Sequence, residues 1–114
     1  MRAHLAVLGC LASLPSVAAT PALNDYPTAA RADYVFACMK TNGETRAALD
    51  QCSCSIDVIA SLLPYDAYVA GETVASIDQD IGPVGRAFKA ANLAKDDLAT
   101  LRRAQAEAEV RCFF

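Results

Sequence analysis

The chain has 114 residues, 13 Asp plus Glu against 10 Lys plus Arg, and a formal net charge of −3. That length holds one small domain, and that balance argues against a nucleic-acid or anionic-membrane partner, which would require a basic face. A domain of this size is marginal on apolar burial alone, so covalent staples are expected.

Residues 1–19 carry the three-part pattern of a secretory signal peptide. Arg2 and His4 form a short basic start, residues 5–14 an apolar run, and Val17 and Ala19 suit the minus-three and minus-one positions for cleavage before Thr20. Pro15 stops the apolar run well short of the ~20 residues that a membrane span needs. "VLGC" at 7–10 resembles a lipobox, but the stretch between His4 and Cys10 is too short for a normal apolar region. Export is expected, with Cys10 leaving in the signal and 20–114 forming a single helical domain. Arg2 and His4 would go too, turning 10 basic residues into 9 against 13 acidic, a net charge of −4, and leaving no histidine. Cys38, Cys52, Cys54 and Cys112 would remain. An even number of cysteines in a short exported chain points to disulfides.

The first predicted helix covers 28–42, with Gly43 at the position after its end where a positive φ is wanted. Tyr34, Cys38 and Thr41 share one face of it. A three-residue link, 42–44, then implies an antiparallel helical hairpin. The second helix covers 45–63, with Thr45 as N-cap and Pro64 as terminator. Its apolar stripe is Ala48, Leu49, Cys52, Ile56, Ile59 and Leu63, in steps of three and four. Cys52 lies in that stripe, and Cys54 lies about 200° around the helix. The two thiols face nearly opposite ways, poorly placed to share one ion and well placed to staple the helix to two neighbours.

A third helix is expected over 66–79, with Tyr68, Val69, Thr73, Val74 and Ile77 available for burial. Gly82 and Pro83 break it, and a short helix over 84–91 carries Phe88. The last helix, 96–112, is rich in Ala, Leu, Arg and Glu. Asp96 and Asp97 in its first turn and Arg111 in its last complement the helix dipole. Its predicted inner stripe runs Ala94, Leu98, Leu101, Ala104, Ala108 and Cys112, and Arg103 and Glu107 are spaced for an exposed pair. The expected fold is therefore all-α: four to five short helices stapled by two disulfides. Pairing outward from the hairpin turn brings Cys38 to Cys52, leaving Cys54 for Cys112. The alternative, Cys38 with Cys54 and Cys52 with Cys112, stays open.

Other chemistry finds weaker footing. A Cys-x-Cys pair can bind Cu(I) or join a four-thiolate zinc site, here with Met39 as the one added soft donor, but zinc sites usually use two Cys-x₂₋₄-Cys pairs. Thioredoxin-type exchange prefers Cys-x-x-Cys at a helix N-terminus, whereas this pair is mid-helix. "DQDIG" at 78–82 fails as an EF-hand start, because Pro83 and Lys89 stand where Gly and Glu are required. Without histidine there is no Ser-His or Cys-His nucleophile, and no phosphate-cradling glycine loop occurs. The expectation is a protein with no catalytic site, cofactor or metal.

"YVFACM", "CSCSIDVIASLLPYD" and "LRRAQAEAEVRCF" together resemble segments of small exported four-cysteine helical proteins of proteobacteria, some of them associated with periplasmic quinoprotein alcohol oxidation. The resemblance implies a periplasmic accessory protein. The expected function is non-catalytic binding of a periplasmic protein, with a thiol-based copper, zinc or redox carrier as the alternative. Aromatic residues at the predicted edges are the candidate contacts: Tyr65 and Tyr68 beside Pro64, and Phe113 and Phe114 at the C-terminus, the last two with closure of the core as the other reading.

Overall fold

Five α-helices follow one another in the computed structural model: α1 (Thr28–Asn42), α2 (Arg46–Leu62), α3 (Tyr65–Asp78), α4 (Pro83–Ala91) and α5 (Lys95–Cys112). The structure describes residues 24–92 and 94–114, among which there is no strand. The expected signal segment and Cys10 lie outside the described residues. Both disulfides follow the hairpin pairing, Cys38–Cys52 and Cys54–Cys112, each with a Cα–Cα distance of 5.8 Å.

The central element is α2. Thr45 caps it by accepting the Ala48 N–H at 3.1 Å, and Leu63 and Pro64 continue as extended backbone. Its buried face is Ala48, Cys52, Ser55, Ile56, Ile59 and Ala60, followed by Leu63. Leu49, predicted within that stripe, is only half-buried. Ser55 is 3% exposed, and the Tyr34 hydroxyl lies 2.8 Å from its Oγ, so the burial of this hydroxyl is compensated.

Along α5 the buried residues are Leu101, Ala104, Ala108 and Cys112, a stripe that lies over α2. Ala94 is not part of it. Its φ of 52° is left-handed, so the chain turns there before the helix begins, and the side chain is exposed. Arg103 does not pair with Glu107 either. It donates to Thr100 Oγ1 at 3.1 Å, while Glu107 accepts from Arg111 Nε at 2.7 Å. The acid lies N-terminal to the base in that pair, the better order on a helix.

Helix α3 packs on α5, with Gly71, Val74 and Ala75 buried and Gly71 against Leu101. A Cβ at Gly71 would stand 2.6 Å from Leu101 Cβ, so bare backbone permits the close approach. That contact fixes the rotation of the helix. Val69 and Thr73, each about 200° from Gly71, fall on the outer side and are exposed rather than buried. Pro64 cannot cap α3 with a side chain, and Asp25 does so from the start of the described chain. Both of its carboxylate oxygens accept the Tyr65 N–H, at 3.1 and 3.0 Å. Beside it Tyr26 is 5% exposed and its hydroxyl has no partner among the described residues. Burial, helped by the charge of Asp25 and by Tyr65, pushes its pKa up to about 12.

The "DQDIG" stretch serves α4. Asp80 accepts the N–H groups of Gly82 at 2.8 Å and Gly85 at 3.1 Å, satisfying donors of the first turn. Helix α1 is different from the rest, because none of its residues is fully buried. Cys38 bonds to Cys52 and Tyr34 meets Ser55, so partners run in opposite order and the α1–α2 hairpin is antiparallel. At its turn Gly43 takes φ 100°, which suits glycine, and donates its N–H to the Met39 carbonyl.

Candidate functional site

Helix α1 packs on α2, and α3 packs on α5, but α1 forms no substantial interface with α3 or α5. The space between them is a solvent-open cleft of about 520 Å³. Three aromatic side chains line it, Tyr34 from α1, Tyr68 from α3 and Phe113 from the end of α5, with three carboxylates, Asp33, Glu72 and Glu109. Among the described residues no lysine or arginine contributes to this lining.

Helical spacing assembles these groups. Tyr68 and Glu72 are four residues apart on α3. Gln105, Glu109 and Phe113 follow at steps of four along α5, one position beyond the buried stripe of 104, 108 and 112. Glu72 is half-buried and accepts a long hydrogen bond from Gln105 Nε2 at 3.4 Å. Loss of water raises its pKa above the ordinary carboxylate value, an effect that Arg102 partly offsets. The tyrosines respond to the same surroundings. Burial raises Tyr34, against the lowering effect of its Ser55 hydrogen bond, and the charges of Glu72 and Glu109 add to the rise. Burial also raises Tyr68 strongly, with Glu72 the largest charge contribution, then Tyr34 and Tyr26, and Asp33 after them. Glu72 therefore acts on both phenols, Glu109 on Tyr34 and Asp33 on Tyr68.

The four sequence-selected aromatics occupy three settings. Tyr65 and Tyr68 form a cluster with Tyr26, with ring centroids 5.2 Å from Tyr26 to each and 6.2 Å between the pair. Both pack partly buried against the core, and only Tyr68 also reaches the cleft. Phe113 is half-buried in the cleft wall, whereas Phe114 is 100% exposed. Asp33, Glu72 and Glu109 were not among the sequence-selected residues. The readable signal was the pairing of an acid with an aromatic four residues away, 68 with 72 and 109 with 113.

The cysteines at 38, 52, 54 and 112 are all bonded, so none offers a thiolate. Among the described residues no three of His, Cys, Asp and Glu come together as a metal-binding group. The cleft carboxylates thus surround a volume rather than converge on a point. On the far side of α1, Val35, Phe36, Met39 and Leu49 line a second, more apolar groove, where Phe36 is 63% exposed. The chain matches no known family model, and neither a curated protein nor a solved structure is significantly similar to it.

Proposed function

We propose that this is an exported accessory protein that works in the periplasm by binding another protein rather than by catalysis. The observation that carries the reading is the open cleft, with aromatic and carboxylate side chains set on a scaffold whose four described cysteines are locked in pairs. Two disulfides suit an oxidising compartment, in keeping with the signal pattern of residues 1–19. Among the described residues no helix is long and apolar enough to cross a membrane. A thiol-based carrier would first have to reduce both bridges, and its ligands would then stand on three different helices. The sequence resemblance directs the search for a partner toward periplasmic quinoprotein alcohol oxidation.

The test is capture from periplasmic extract by the tagged chain, exported through its own N-terminal segment and kept oxidised. One stoichiometric partner, lost on removal of Phe113 and Phe114, is the expected result. Free thiols carrying about one copper or zinc per chain would overturn the reading in favour of the carrier.

A further inference from the structure

The cleft between α1, α3 and α5 combines two features that are seldom useful to a fold. Three half-buried or exposed aromatic side chains face a concavity, and every charged side chain lining it among the described residues is acidic. Apolar ligands would not need the carboxylates, and an anion would be repelled. A bare divalent cation needs oxygens converging at short range, and Asp33, Glu72 and Glu109 are spread over three helices without forming such a group. What fits is a cation carried on an apolar stem: the aliphatic part lies against rings, and the charge meets a carboxylate.

Size and surroundings select the source of that cation. The cleft opens to solvent, and Phe114 projects fully exposed beyond its Phe113 wall. An uncovered aromatic thus follows directly in the chain on one that lines the cleft, as suits a ligand larger than the cleft. We infer that the cleft receives a lysine or arginine side chain presented by a protein partner, with Tyr34, Tyr68 and Phe113 holding its stem and Glu72 and Glu109 its charge. This rests on the binding reading above and specifies the chemistry of the partner.

The probes are Nα-acetyl-lysine methylamide and Nα-acetyl-arginine methylamide, titrated into the oxidised full chain and followed by amide NMR shifts. Norleucine methylamide, with the stem but no charge, is the control. Saturable shifts confined to the neighbourhoods of Tyr34, Tyr68 and Phe113 are expected from one or both basic probes, with none from norleucine. Glu72→Gln with Glu109→Gln should weaken binding about tenfold or more, and added salt should weaken it in the unaltered chain. The salt series needs no variant, so it decides the matter even if the double variant misfolds. Equal binding of norleucine, salt-independent binding, or no local shifts from either basic probe would overturn the inference. Tighter binding of free spermidine than of either basic probe would overturn the assignment to a protein side chain. If the unaltered chain captures a partner and the Gln variant captures it equally well, the cleft inference fails while the binding reading stands. Failure to capture any partner would instead strike at the binding reading.

Discussion

Glu72 ionises where water is scarce, and the cost of that falls on the fold. Its folded-state pKa lies above the reference value of 4.5, so the folded state holds the proton more tightly than the unfolded chain. The associated stability is fully present below pH 4.5 and is lost as pH rises through and beyond that value. Glu72→Gln should accordingly melt at the same temperature or higher at pH 7, with any gain shrinking as pH falls toward 4.5 and gone below it. Thermal melts at several pH values would check this, and a clear loss of stability at pH 7 would show that the carboxylate supports the fold. One position earlier the expectation is reversed. Gly71→Ala improves helix propensity by roughly 1 kcal/mol, but its Cβ would meet Leu101 Cβ at 2.6 Å and the Asp97 carbonyl at 3.1 Å. Overpacking of this kind costs about 1–3 kcal/mol. A lowered melting temperature is expected, together with shifted amide resonances on α3 and α5. At this scale sequence reading was weakest. A half-buried acid and a contact-making glycine follow from how two helices meet, which neither residue announces by its type.

Helices were the most legible level. Thr45, Pro64, the Ala-rich run before Cys112 and the opposed faces of Cys52 and Cys54 are local signals, and local physics decided those elements. Departures arose where a neighbour intervened. Asp25 caps α3 from 40 residues away, and the Gly71 contact turns Val69 and Thr73 outward. Helix α1 shows the consequence for stability. With no fully buried residue, it is held by the half-buried Tyr34 and Val35 against the core, by Cys38–Cys52 and by the Tyr34–Ser55 hydrogen bond. The bridges also differ in reach, with sequence separations of 14 and 58 residues, so the loop-closure contributions are about 3 and about 4 kcal/mol. Replacing Cys38 and Cys52 by Ala should therefore release α1 locally, so that its amides exchange by sub-global opening while α2 and α5 stay protected. The corresponding Cys54 and Cys112 replacement should lower the global melting temperature further, because it releases the longer loop in the unfolded chain. Equal loss of protection across all helices in the first variant would contradict this division.

Across the whole molecule, the all-α fold and the disulfide pairing were legible because they depend on periodicity and counting. The cleft was not, because it is the space left when α1 packs on α2 and α3 on α5 while α1 stays largely clear of both α3 and α5. Phe113 and Phe114 test that arrangement at its edge. Phe114 is fully exposed, so removing it should leave stability unchanged. Phe113 is half-buried against the cleft wall just after the Cys54–Cys112 bridge, and Phe113→Ala should cost about 1 kcal/mol from partial loss of apolar burial. Partner capture should follow a different order from stability. Loss of Phe114 should weaken capture without moving the melting temperature, because an exposed aromatic can contribute only when a partner covers it. Phe113→Ala should weaken both, with helical circular dichroism preserved, since Leu101, Ala104 and Ala108 still carry the α5 core contact. Measuring melting temperature and capture on the two single variants separates these effects. Cooperative unfolding of the Phe113 variant at ordinary temperature would assign that ring to the core, and undiminished capture by the Phe114 deletion would move the interface away from the C-terminal rim.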